Sequence, residues 1–66
     1  MIAYYVREDL DPPLLLRRAN YVDEVFRNGA WHPTQMIIDY MYGHNDFVEG
    51  PISEDAARAL APDAFK

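Results

Sequence analysis

Few residues in this chain have the chemistry for catalysis or metal binding. His32 and His44 are its two histidines. A helix expected over 33–42 lies between them and spans about 15 Å at ~1.5 Å per residue. The two rings then sit at opposite ends and cannot readily share a metal. His44, Asp46 and Glu49 form a local run of possible ligands, with Asn45 beside them. Zinc takes such groups, but its usual ligand spacings are absent. Calcium needs more oxygens in a recognised loop frame. The plainer reading is a polar loop in which Asn45 or Asp46 bonds nearby backbone. No metal and no cofactor is expected.

Nucleophiles are as scarce. There is no cysteine, so a disulfide framework and a cysteine-ligated zinc are both excluded. Thr34 and Ser53 are the only threonine and serine, and each has a capping explanation at a helix start. Gly29, Gly43 and Gly50 are isolated, so no phosphate-binding loop is present. So short a chain struggles to enclose a pocket of ~300 Å³ by itself. No catalytic residue is singled out, and the sequence does not point to an enzyme.

What remains is contact chemistry. The chain holds five tyrosines, one tryptophan and three methionines, types enriched at interface cores together with arginine. Trp31, Ile38, Tyr42 and Tyr21 are the candidate protein interface. The rival reading is a small nucleic-acid contact surface on Arg7, Arg17 and Arg18, beside Tyr4, Tyr5 and Tyr21, since aromatics on a sheet can stack bases. Charge weighs against it. The net charge is −5, and attraction to a phosphate backbone needs clustered Lys and Arg. Residues 1–32 carry four basic and five acidic side chains, and residues 33–66 carry two and six. The second half therefore presents a negative surface, which also serves simple solubility. The expected partner is a second copy or another protein, not nucleic acid and not a membrane.

No apolar run approaches the ~20 residues of a membrane span. The start, MIAYYVRED, lacks the basic region and long apolar run of a secretion signal. The lack of cysteine suits a cytoplasmic protein.

The elements that must position these residues are legible in part. Residues 2–7, IAYYVR, read as a strand with apolar side chains on both faces, hence central or covered on its far side. Residues 8–13, EDLDPP, connect. Residues 14–18 and 22–26 read as two further strands. A three-residue connection, Ala19 to Tyr21, puts Arg17 opposite Asp23 and Leu15 opposite Val25. A two-residue connection, with Leu15 against Glu24 and Leu16 against Asp23, looks worse. Asn28–Gly29 is the strongest turn signal, but one bulky residue after it, Trp31, is too little for a fourth strand.

Helix 33–42 starts with Pro33, whose missing N–H is no loss in a first turn. Thr34 as the cap instead would move the start by two residues. Met36, Ile37, Tyr40 and Met41 share one face and Ile38 and Tyr42 lie beside it, leaving a narrow polar stripe. Gly43 stops the helix. Phe47 and Val48 form a short extended piece ended by Gly50 and Pro51. Ser53 caps a last short helix with Glu54 and Asp55 in its first turn, and Pro62 ends it. Residues 63–66 are expected to fray unless Phe65 docks.

The expectation is one small α+β domain over residues 1–66. A three-stranded antiparallel sheet packs against one central helix, with a short C-terminal helix at the edge. Its expected core is Tyr4, Val6, Leu14, Val25 or Phe26, Trp31, Ile37, Tyr40, Met41 and Leu60. Its expected function is non-enzymatic protein association, as an accessory or regulatory module.

Overall fold

A computed structural model of the protein describes residues 2–43 and 47–65. The strands are β1 (Ile2–Arg7), β2 (Leu14–Ala19), β3 (Val22–Arg27), β4 (Ala30–Pro33) and β5 (Val48–Ile52). Helix α1 (Met36–Met41) lies between β4 and β5, and helix α2 (Glu54–Leu60) follows β5. A 3-10 turn, Pro62–Phe65, comes last. Among the described residues, no helix is long and apolar enough to cross a membrane.

The expected three-stranded sheet is corrected to five strands in the order β4-β3-β2-β1-β5, antiparallel at every pairing. The expected central helix is corrected to the short α1 on one face of the sheet, and the short C-terminal helix expected at the edge, α2, packs with the apolar cluster of the opposite face. The molecule remains α+β in kind. Both unexpected strands lie at the edges, and both contain proline. An edge strand pairs on one side only, so a missing N–H is tolerated there. Pro33 ends β4 and Pro51 lies within β5. Gly50 fits β5 against β1 closely. A Cβ there would lie 2.5 Å from Tyr5 Cδ2 and 3.1 Å from the Tyr4 carbonyl oxygen.

The β2–β3 register also differs from expectation. The turn is the two residues Asn20–Tyr21, with Ala19 opposite Val22, Arg18 opposite Asp23, Arg17 opposite Glu24 and Leu16 opposite Val25. The pairing of Leu15 with Glu24, taken above as the outcome of a two-residue turn, belongs to another register. The observed one matches two opposite-charge pairs and sets Leu16 against Val25. At Asn20 and Tyr21 φ is 52° and 65°, the left-handed pair that a type I′ turn requires.

Alternation along β1 and β2 divides the core in two. On one face Tyr5, Leu16 and Val25 are buried with Ile37 of α1 and Val48 of β5. On the other, Tyr4 and Leu15 are buried with Ala57 of α2, and Phe26, Trp31, Leu60 and Phe65 pack around them. Three consecutive buried residues, Tyr4, Tyr5 and Val6, fit a strand with neighbours on both sides and layers on both faces. Phe65 docks against Tyr4 with ring centroids 5.5 Å apart.

The helix expected over 33–42 is shorter, because Pro33 is strand. Its first turn is held by Met36 N–H donating to Thr34 Oγ1 at 3.2 Å. Ile37 is completely buried, while Met41, expected in the core, is 50% exposed. The Ser53 cap forms as expected, its hydroxyl oxygen accepting from Ala56 N–H at 3.0 Å.

Candidate functional site

Tyr21, Ile38, Met41, Tyr42 and Arg18 line one open groove of about 480 Å³ on the α1 side of the sheet. Three local features bring them together. The β2–β3 turn holds Tyr21 at the end of the hairpin, where it is 97% exposed. One turn of α1 separates Ile38 from Met41 and Tyr42, so these three share a stripe on the helix surface. Arg18 points from β2 toward the same side as Leu16, since the two are separated by one residue.

Arg18 is held firmly. Its Nε and Nη2 donate to the two carboxylate oxygens of Asp23 at 2.6 and 2.8 Å. The Asp23 side chain is nearly sealed from solvent and the Arg18 side chain partly so. Hydrogen bonding to Asp23 raises the guanidinium pKa above its ordinary value, against the opposing effect of burial. Nη1 approaches the Met41 sulfur at 2.9 Å. That contact explains the exposure of Met41: beneath the end of α1 the sheet offers an arginine rather than an apolar side chain.

Of the candidate interface residues, the structure gathers Tyr21, Ile38 and Tyr42 and leaves Trp31 out. Trp31 lies opposite Phe26 on β4, with ring centroids 5.3 Å apart. The Arg17 guanidinium sits 3.9 Å from its ring centroid. These residues belong to the α2 side of the sheet. Met41 and Arg18 are the groove residues that the interface reading missed. The opposite charges of residues 18 and 23 are the signal that could have placed the arginine beside a turn of Asn20–Tyr21, a register that neither of the connections weighed above contains.

The arginines of the nucleic-acid reading are not brought into one patch. Arg7 and Arg18 share a face, and Arg17 is on the other. Each is matched to a carboxylate, Arg7 with Asp9 at 2.7 Å and Arg17 with Glu24 at 2.8 Å. The Arg7 contact also holds the Asp9 carboxyl below its ordinary pKa and raises that of Arg7. Tyr4 and Tyr5 are buried in the two cores and have no open ring face for a base.

The remaining candidates have local roles or fall outside the described residues. The His32 ring nitrogen Nε2 lies 3.2 Å from the Arg27 carbonyl oxygen. His44, Asn45 and Asp46 lie outside the described residues, and Glu49 is on β5 opposite Val6. Among the described residues no three His, Cys, Asp or Glu side chains come together as a metal site. The chain matches no protein family, no curated protein and no solved structure.

Proposed function

We propose that the protein acts by non-enzymatic association with another protein chain, as an accessory or regulatory subunit, through the groove of Tyr21, Ile38, Met41 and Tyr42 around Arg18. The carrying observation is the contiguity of these exposed side chains. Tyr21 is 97%, Tyr42 75%, Met41 50% and Ile38 41% exposed, yet all four line one concavity. Scattered exposed apolar residues need no explanation, whereas a contiguous patch marks a contact surface. The composition suits that use, with tyrosine, methionine and arginine together.

The sheet edges are less suited to a partner. β4 ends in Pro33 and β5 contains Pro51, and proline on an edge strand blunts addition of a further strand. Nucleic acid is the weaker partner class, because the arginines lie on two faces and are matched to acids. A cytoplasmic location goes with the proposal and rests on the cysteine-free composition.

Site-specific photocross-linking in cells tests the reading. A photoreactive phenylalanine analogue replaces Tyr42 in one variant and Arg58, on α2, in another. Protein adducts are expected from position 42, with far fewer from position 58, and they should fade when Tyr21→Gly is added. Equal adducts from both positions, or none from either, would sink the proposal. Adducts removed by nuclease would move the assignment to nucleic acid.

A further inference from the structure

We infer that Met41 is a site of reversible oxidation, whose thioether takes one oxygen atom from a peroxide on the lone pair that Arg18 leaves free. Met41 ends α1, is half exposed and lines the open groove. Its sulfur accepts from Arg18 Nη1 at 2.9 Å. A thioether sulfur has two lone pairs, so this bond engages one and leaves the other. Half of the residue meets solvent, and the free pair is the one a small oxidant reaches.

The donor is fixed in place. Both carboxylate oxygens of Asp23 hold Arg18, at 2.6 and 2.8 Å, and the Asp23 side chain is nearly sealed from solvent. A guanidinium is planar and rigid, so seating Nε and Nη2 on Asp23 also sets the direction of Nη1. Methionine is by contrast unbranched, with three rotatable bonds. The bond from Nη1 is what gives the Met41 sulfur one orientation.

Met36, at the start of the same helix, is the internal comparison. Its sulfur lies 3.6 Å from Arg7 Nη1, a looser contact. The residue is partly buried and packs against the cluster of Tyr5, Leu16 and Ile37. Both methionines of α1 thus face a guanidinium, and they differ in exposure and in how closely the donor approaches. Met1 lies outside the described residues.

In the reaction the free lone pair attacks one oxygen of hydrogen peroxide. The S–O bond forms as the O–O bond breaks, and the sulfur gives up two electrons. The departing oxygen takes the proton of the attacked one and leaves as water. The sulfur becomes a stereocentre. Attack on one lone pair gives one epimer, whereas a freely turning sulfur gives both. The product sets a polar S=O in the groove beside Tyr21, Ile38 and Tyr42, and enzymatic reduction restores the thioether. This is a property of the isolated chain and is tested apart from the association proposed above.

Dilute hydrogen peroxide on the folded full chain, followed by peptide mapping, gives the extent of oxidation at each methionine. Met41 sulfoxide should form several times faster than Met36 sulfoxide, and the two rates should converge in urea. Two reductases, each specific for one sulfoxide epimer, then read the stereochemistry. One should remove about fivefold more of the Met41 sulfoxide than the other, the bias that one hydrogen bond of ordinary net strength sustains. The bias should vanish in urea. It should vanish too in Arg18→Leu combined with Asp23→Leu, a paired change that removes the donor and leaves no buried charge behind. Equal epimers from the folded wild-type chain would overturn the proposal, as would Met36 oxidised as fast as Met41 or a bias that survives the paired change. The first two of these readings use the wild-type chain alone and do not depend on how the variant folds.

Discussion

Strand β3 runs between two turns that share a backbone and differ in chemistry. Each has two central residues with positive φ, Asn20 and Tyr21 at one end and Asn28 and Gly29 at the other. Asparagine tolerates the left-handed region in both. At the second position glycine adopts it freely, whereas a residue with a Cβ costs roughly 1–2 kcal/mol more. The second rung from each turn differs as well. Beside Asn20–Tyr21 it is the ion pair Arg18–Asp23, and beside Asn28–Gly29 it is the aromatic pair Phe26–Trp31. The Asn28–Gly29 turn has the residues that a hairpin requires and nothing more. The Asn20–Tyr21 turn keeps the same geometry while carrying a ring that the sheet does not need. That surplus marks the end of the molecule where a function is to be sought.

The comparison can be broken most forcefully at the two rungs. Arg18→Ala leaves the Asp23 carboxylate buried without its partner. It should cost about 3 kcal/mol, the lower end for a broken buried pair because Arg18 itself is partly solvated. Urea unfolding at neutral pH would measure it. A loss below about 1 kcal/mol would mean that water reaches Asp23, and that the turn is not anchored by charge. Phe26→Ala removes the edge contact on Trp31. Both rings are only partly buried, so a loss of about 2 kcal/mol is expected, below the usual range for a fully buried phenylalanine. If Phe26→Ala proves the costlier of the two, the aromatic rung is the firmer anchor.

A smaller change tests the second turn directly. A Cβ built on Gly29 meets nothing within 4 Å, so Gly29→Ala adds no clash. Its cost is the left-handed backbone alone, about 1 kcal/mol. Thermal unfolding should show a Tm lower by about 5 °C for a domain of this size. An unchanged Tm would mean that the backbone relaxes at no cost, and the presence of tyrosine at position 21 would lose its significance.

The division between what was legible and what was not follows the same physics. Strands β1, β2 and β3 show in the sequence because two-faced apolar runs and β-branched residues mark central strands. The Ser53 cap shows because it is a local signal. The edge strands are hidden by Pro33, Gly50 and Pro51, each acceptable only where one side of a strand is unpaired or a neighbouring ring presses close. Trp31 could be assigned to a face only through its pairing with Phe26, and that pairing sends it to the α2 side. Tyr21, Ile38 and Tyr42 converge because a two-residue turn and a short helix end at the same place. Helical spacing alone put Met41 in the core, blind to Arg18 lying beneath it.

The subtlest prediction sets the two turns against each other within one residue. Tyr21→Gly turns Asn20–Tyr21 into a second Asn–Gly. Relief of the left-handed strain is worth roughly 1–2 kcal/mol. The added freedom of the unfolded chain takes back roughly 0.5–1 kcal/mol, so the monomer should gain about 0.5 kcal/mol. For a domain of this size that is a Tm higher by about 3 °C, measured at a dilution where the chain is monomeric. If the chain self-associates through Tyr21, the ordering should reverse or narrow at high concentration, because association would stabilise the wild-type chain by mass action and leave the variant alone. Opposite signs for fold and association are the mark of a residue kept for contact. If Tyr21→Gly instead lowers the dilute Tm, the ring supports its own monomer despite its exposure, and the two turns differ in folding rather than in function.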